Sequence, residues 1–319
     1  MLRRELSLRG RELARARALV HDLSPGDEPI LLFGRHAEGH GNFHPASWAA
    51  ICANPDWVRR LNKPHTGYRR ARALANWPWM ELDSATSSDA LLMNVFCHPS
   101  VFDGEALSAP VAALLGVPLI ARPSFGIHPR IPLQPNAKGR VLTDRTEIDM
   151  QLGELFVEAK LTETGFQSTR PALLHRYRDF EAVFDVARLP RTIPHEIVAT
   201  DIYPDEEAQY DESVPVPIPT FDTPPPRPAT RPVAEAQQPF QGYQLVRNVL
   251  AAYASETSFC LLTDARRGDL IDMWYAVLAA VHHTGFTWRL KLLTWQELAG
   301  ALPGTLQEFL IAKYGIAPQ

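Results

Sequence analysis

Residues Thr146 to Glu163 read TEIDMQLGELFVEAKLTE, and the fold turns on them. At a period of two, Ile148, Met150 and Leu152 share one face, and Leu155, Val157, Ala159 and Leu161 share another. That alternation marks two strands. Between them stands Leu152-Gly153-Glu154-Leu155, and a two-residue turn with glycine first suits a type II′ hairpin. The opposite faces carry Glu147, Asp149, Glu158 and Lys160.

The turn sets a register. With Leu152 opposite Leu155, Asp149 falls opposite Glu158 and Glu147 opposite Lys160. Such cross-strand Cβ atoms lie roughly 4.5–5.5 Å apart. Two opposed carboxylates repel, and partial burial sharpens the repulsion. A divalent cation reverses its sign, and hard oxygen ligands suit Mg²⁺ or Mn²⁺. Lys160, on the face of Glu158, is placed to orient a water or to stabilise charge developing on a phosphate. Together these groups fit metal-assisted cleavage of a phosphodiester. Glu-x-Lys alone is common on exposed strands; its conjunction with Asp149 and the turn gives the pattern its weight.

The rest of the chain bounds that reading. With 319 residues, 45% apolar and 21% charged, it suits one large soluble domain or a domain with additions. Three scattered cysteines, Cys52, Cys97 and Cys260, argue against a disulfide scaffold or a four-cysteine metal site and for a reducing cytoplasm. No run reaches transmembrane length, and the Arg-rich start reads as a surface helix over 1–22. Net charge is −4, but residues 1–72 hold thirteen Lys/Arg against seven Asp/Glu, and 201–239 hold eight acids against two arginines. A basic N-terminal part is able to track phosphates, although charge alone favours an ordinary solvated face.

Helices are expected over 45–74, 86–98, 109–115, 172–187, 241–254 and 269–283, with two short ones to Tyr314. GVPLI at 116–120 reads as a short strand, 122–138 as irregular, and 140–152, 155–162, 258–263 and 287–293 as strands. His36, His40 and His44 lie in a loop whose glycines break any helical pairing, so incidental histidines are favoured over a ligand set. Nine prolines in 213–239 mark a linker or excursion. The expected organisation is an N-terminal helical extension at 1–78 and an α/β domain at 79–319, interrupted by the proline-rich linker at about 205–239.

Asp149…Glu158-x-Lys160 at the end of a hairpin resembles the PD-(D/E)xK nuclease superfamily. SSDALLMNVFCHP, TEIDMQLGELFVEAKLTE and YQLVRN, in that order, are similar to a bacterial restriction-endonuclease-like subgroup over about residues 80–319. The resemblance implies a restriction-endonuclease-like fold, with a small mixed sheet flanked by helices. It implies that Asp149, Glu158 and the Ala159 carbonyl hold Mg²⁺ or Mn²⁺, with Glu147 as a further candidate, and that Lys160 assists the nucleophile. It also implies a glutamine-bearing helix, for which Gln241, Gln244 and Asn248 fall on one helical face, Gln244 being the catalytic candidate. For the acid that many members supply from an early helix, Glu81, Asp83 and Asp89 are candidates.

The function expected is a Mg²⁺-dependent nuclease acting on DNA, in defence or repair. The alternatives are a catalytically silent relative that binds nucleic acid or a protein partner, and a phosphohydrolase acting on a smaller substrate.

Overall fold

The computed structural model describes residues 2–24, 29–36, 39–63, 79–136, 138–192, 238–282 and 285–319. At its centre is one mixed sheet of five strands: β1 (Pro123–Ile127), β2 (Ile148–Leu152), β3 (Leu155–Ala159), β4 (Ser258–Thr263) and β5 (Leu290–Thr294). Their spatial order is β5-β4-β3-β2-β1. The β1–β2 and β2–β3 pairs are antiparallel, whereas β3–β4 and β4–β5 are parallel. Parallel neighbours need long crossovers, and those crossovers bring helices onto the faces of the sheet.

The two faces are covered differently. On one side Met150, Leu155, Val157, Ala159, Cys260 and Leu262 share a core with α4 (Ser88–Phe96) and α5 (Ala109–Leu115). The same core takes in Leu6 of α1 (Leu2–Ala16), Ile51 of α2 (Pro45–Ala53) and Trp57 of α3 (Pro55–Arg60). On the other side Phe156, Phe259 and Leu261 pack with α6 (Tyr243–Ala254) and α7 (Gly268–Leu278). Two final helices, α8 (Trp295–Gly300) and α9 (Gly304–Tyr314), join the first core, and α1 lies along α9.

The hairpin forms in the register set by its turn. Leu152 pairs with Leu155 and Met150 with Val157. Gly153 has φ +60°, and Glu154 is not among the residues with positive φ, which fits a glycine-first turn. β2 alternates between buried and half-buried residues, but every residue of β3 is buried. A central strand covered on both faces has no solvent side.

Several boundaries differ from expectation. The helix expected from 45 divides at Asn54, whose side chain caps α3 just before Pro55; residues 64–74 lie outside the described ones. The helix expected at 172–187 is two one-turn pieces, Pro171–Leu174 and Phe180–Val183. GVPLI is not a strand. The edge strand is Pro123–Ile127, in the stretch expected to be irregular. Its proline stands at the first position of an edge strand, where the missing N–H costs no rung, and Gly126 breaks the alternation. α6 starts at Tyr243, because Gly242 has φ +71° and an added Cβ would meet Val277 at 2.9 Å. Gln241 therefore lies in a two-residue ribbon with Ser168, not on the helical face of Gln244 and Asn248. The expected linker falls largely in 193–237, outside the described residues. All three cysteines are free, and among the described residues no helix is long and apolar enough to cross a membrane.

Candidate active site

The candidate site lies where β2 and β3 part. Their ladder ends at Met150 and Val157, and beyond it the N–H of Ala159 donates to Oδ2 of Asp149 at 2.8 Å. The carboxylate thus takes the place of the next backbone acceptor. On its other edge the chain stays tied to β4, where the N–H of Lys160 donates to Leu262 O at 2.8 Å. Peptide groups alternate along a strand, so the Ala159 carbonyl turns toward the β2 side, as its N–H does.

Glu158 faces α6 and is 1% exposed. Its Oε1 meets Lys160 Nζ at 2.8 Å and accepts from Gln244 Nε2 at 2.6 Å, and its Oε2 accepts from Asn248 Nδ2 at 2.9 Å. Gln244 and Asn248 stand one helical turn apart, so the two amides grip one carboxylate. Asn248 is wholly buried, and its Oδ1 has no partner among the described residues. Lys160 is 7% exposed. Burial disfavours its charge, but Glu158, Glu163 and Asp149 outweigh that and hold the ammonium well above the usual lysine range. At neutral pH Lys160 is a cation and does not accept protons. Burial, then Glu158, then Asp89 push the Asp149 carboxyl well above the carboxylate range.

A second ion-pair cluster abuts this one. Arg60 on α3 donates to both oxygens of Asp89 at 2.9 and 2.8 Å, meets Glu147 at 2.9 Å and lies 3.9 Å from Asp149 Oδ1. Lys63 bridges Asp89 at 3.1 Å and Glu147 at 2.7 Å. Gly126 makes room for this: it stands opposite Asp149 in the β1–β2 register, and a Cβ there would overlap the Arg60 guanidinium. Lys63 and Arg60 overcome burial to hold Asp89 below the usual range, and they do the same for Glu147.

Of the three early acids, Asp89 on α4 reaches this cluster. Glu81, half-buried, is also close to it, and desolvation, with Asp89 and Glu163, lifts its carboxyl to about 7 despite the nearby cations. Asp83 turns elsewhere, to His40 at 3.0 Å. His44 caps α2. Glu147 pairs with α3 and not with Lys160, because the strands have already separated at that level.

Over residues 26–315 the sequence matches the model of one family, described as Restriction Endonuclease associating with ARP. The chain belongs to that family. The match takes in most of the segment expected as an N-terminal extension, and it agrees with the restriction-endonuclease-like fold of the central sheet and its helices. No curated protein and no solved structure matches the chain.

Three features of this restriction-endonuclease-family site escaped the sequence reading. Arg60 and Lys63 come from α3 and the turn after it, and nothing in their spacing pointed to the hairpin. Glu163 also proves to matter: it accepts from Ser88 Oγ and from Leu161 N–H, each at 2.6 Å, and so ties the exit of β3 to the start of α4. A carboxylate three residues beyond Glu-x-Lys was the one available signal.

Proposed function

We propose that this protein is a Mg²⁺- or Mn²⁺-dependent nuclease that cleaves phosphodiester bonds of DNA. The observation carrying the proposal is the gathering of Asp149, Glu158 and the Lys160 ammonium where the hairpin opens, with Glu158 fixed by Gln244 and Asn248. The donors fit a hard divalent cation, since they are carboxylate and carbonyl oxygens. Burial and the neighbouring Glu158 and Asp89 carboxylates raise the Asp149 carboxyl, and a cation bound there would oppose that rise. Among the described residues no three His, Cys, Asp or Glu side chains gather as a ligand group. Asp149, Glu158 and the Ala159 carbonyl would hold the ion, leaving positions for water and substrate, as Mg²⁺ prefers. Glu147 is held by Arg60 and Lys63.

When bound, the ion would lower the pKa of a water and stabilise charge on the phosphate. Lys160, as a permanent cation, is set to stabilise the same developing charge. Gln244 and Asn248 keep Glu158 in place. The test is cleavage of plasmid and oligonucleotide DNA with metal and with chelator. Metal-dependent cleavage, lost in Asp149→Ala, Glu158→Ala and Lys160→Ala, is expected; equal cleavage by all three variants would sink the assignment.

A protein partner is a second reading. The family description carries an association with ARP. Ile120 is 78% exposed and Trp288 69%, and both line one pocket at the turn end of the sheet. Exposed apolar groups gathered in one place mark interaction sites.

A further inference from the structure

We infer that the edge of the sheet formed by β1 and the ribbon that follows it (Ile131–Pro132 with Thr143–Asp144) is the track that grips the phosphate backbone of the nucleic acid. This rests on the nuclease reading and adds where the substrate lies. Residues 122–145 hold five Lys/Arg, namely Arg122, Arg130, Lys138, Arg140 and Arg145, against a single acid, Asp144. All five cations are exposed. None of them forms an ion pair among the described residues, and Asp144 is already taken by Tyr177 Oη and the Thr146 hydroxyl. A run of unpaired surface cations repels itself and costs stability unless an anion compensates it.

The position of this edge gives the charge its meaning. β1 is the edge strand beside β2, and its Gly126 stands opposite Asp149. At the ribbon end, His128 Nδ1 meets the Arg145 carbonyl at 2.8 Å, and its Nε2 lies 4.0 Å from Glu147. The basic ribbon therefore adjoins the carboxylates. At the other end, Arg122 lies four residues before Gly126, roughly 13 Å along a strand. That is about four phosphates at the 3.4 Å rise of one DNA strand. Between them runs a groove of about 820 Å³, bounded by α3, the turn at Pro99–Gly104 and β1. Its acids are already used: Asp103 accepts from the N–H groups of Glu105 and Ala106, Glu147 binds Arg60 and Lys63, and Asp56 binds Arg59. Arg122 is left at its mouth for an incoming anion.

The experiment is fluorescence anisotropy of a labelled DNA duplex in chelator, where binding is read without cleavage, over a range of salt. The triple variant Arg122→Ala/Arg130→Ala/Arg145→Ala is compared with a charge-matched control, Arg3→Ala/Arg4→Ala/Arg15→Ala. The control residues are exposed on α1, which packs on α9. The edge triple should weaken binding at least tenfold near 0.1 M salt and reduce the slope of log K against log salt by about 3, whereas the control shifts affinity less than twofold. Equal weakening by the two triples, or an unchanged slope in the edge triple, overturns the assignment. A parent that binds no nucleic acid overturns both this track and the substrate reading. Normal parent binding with a silent edge triple overturns the track alone.

Discussion

Two lysines of this protein are almost wholly buried, and their surroundings are opposite. Lys160 is 7% exposed and meets Glu158 at 2.8 Å, with Glu163 and Asp149 also close enough to favour its charge. Lys313 on α9 is 1% exposed and, among the described residues, hydrogen-bonds only to the Asn42 carbonyl and side-chain oxygen, within an aromatic surround of Phe33, Phe309 and Tyr314. Burial pulls the proton affinity of both down. At Lys160 the carboxylates reverse the effect, whereas at Lys313 nothing does, and its pKa is pushed well below the usual range. Burial alone therefore does not identify a functional lysine. The carboxylates around Lys160 set it apart, and two of them, Asp149 and Glu158, are the ones proposed to hold a metal ion.

The largest effect that would break this contrast is catalytic. Lys160→Ala should reduce metal-dependent DNA cleavage by about 10³-fold, the scale expected for losing one preorganised cation at a developing charge. Lys313→Met should leave the rate within a few-fold. Comparable losses in both would mean that the two lysines act through folding.

Stability should separate them next. Lys160→Met leaves Glu158 buried without its cation and should cost about 3 kcal/mol, whereas Lys313→Met removes a buried group that has no counter-ion and should fall within about 1 kcal/mol of the parent. Denaturant melts in chelator measure both, and the reverse ranking would refute the contrast.

Metal response sharpens it further. Mg²⁺ or Mn²⁺ should raise the melting temperature of the parent by several degrees, because the ion binds the folded form. Asp149→Asn relieves the carboxylate repulsion at nearly constant volume. In chelator it should melt at or above the parent's temperature, with a much smaller rise on adding metal. Equal rises in the two proteins would remove Asp149 from the ion site.

The smallest effect is a pH slope. A lysine whose folded pKa is depressed contributes stability in full above its unfolded value of 10.5, and that stability is lost as pH falls toward the folded value. Parent minus Lys313→Met stability should therefore rise with pH up to about 10.5. Parent minus Lys160→Met should do the opposite, holding below 10.5 and falling as pH climbs toward the raised folded value. Slopes of one sign in both differences would count against the contrast.

The sequence by itself determined the hairpin, its register and the placing of Glu158 and Lys160 on one face. Each follows from period-two alternation and one glycine-first turn, which are local properties of the chain. It also placed Gln244 and Asn248 one turn apart on a helix, though not where that helix begins, because Gly242 sets the start through its backbone conformation. What only the tertiary structure decided was the company these residues keep. Asp89 was one of three plausible acids until α4 packed beside the hairpin and brought it under Arg60 and Lys63. Arg60 reaches Asp149 across an edge strand that the four prolines of 122–138 and a glycine hid from any periodic reading. Lys160 and Lys313 look alike as letters in apolar surroundings. Their difference is set by whether the folded chain brings a carboxylate, and not only neutral oxygens, within about 3 Å, where charge attraction outweighs burial; no sequence separation fixes that.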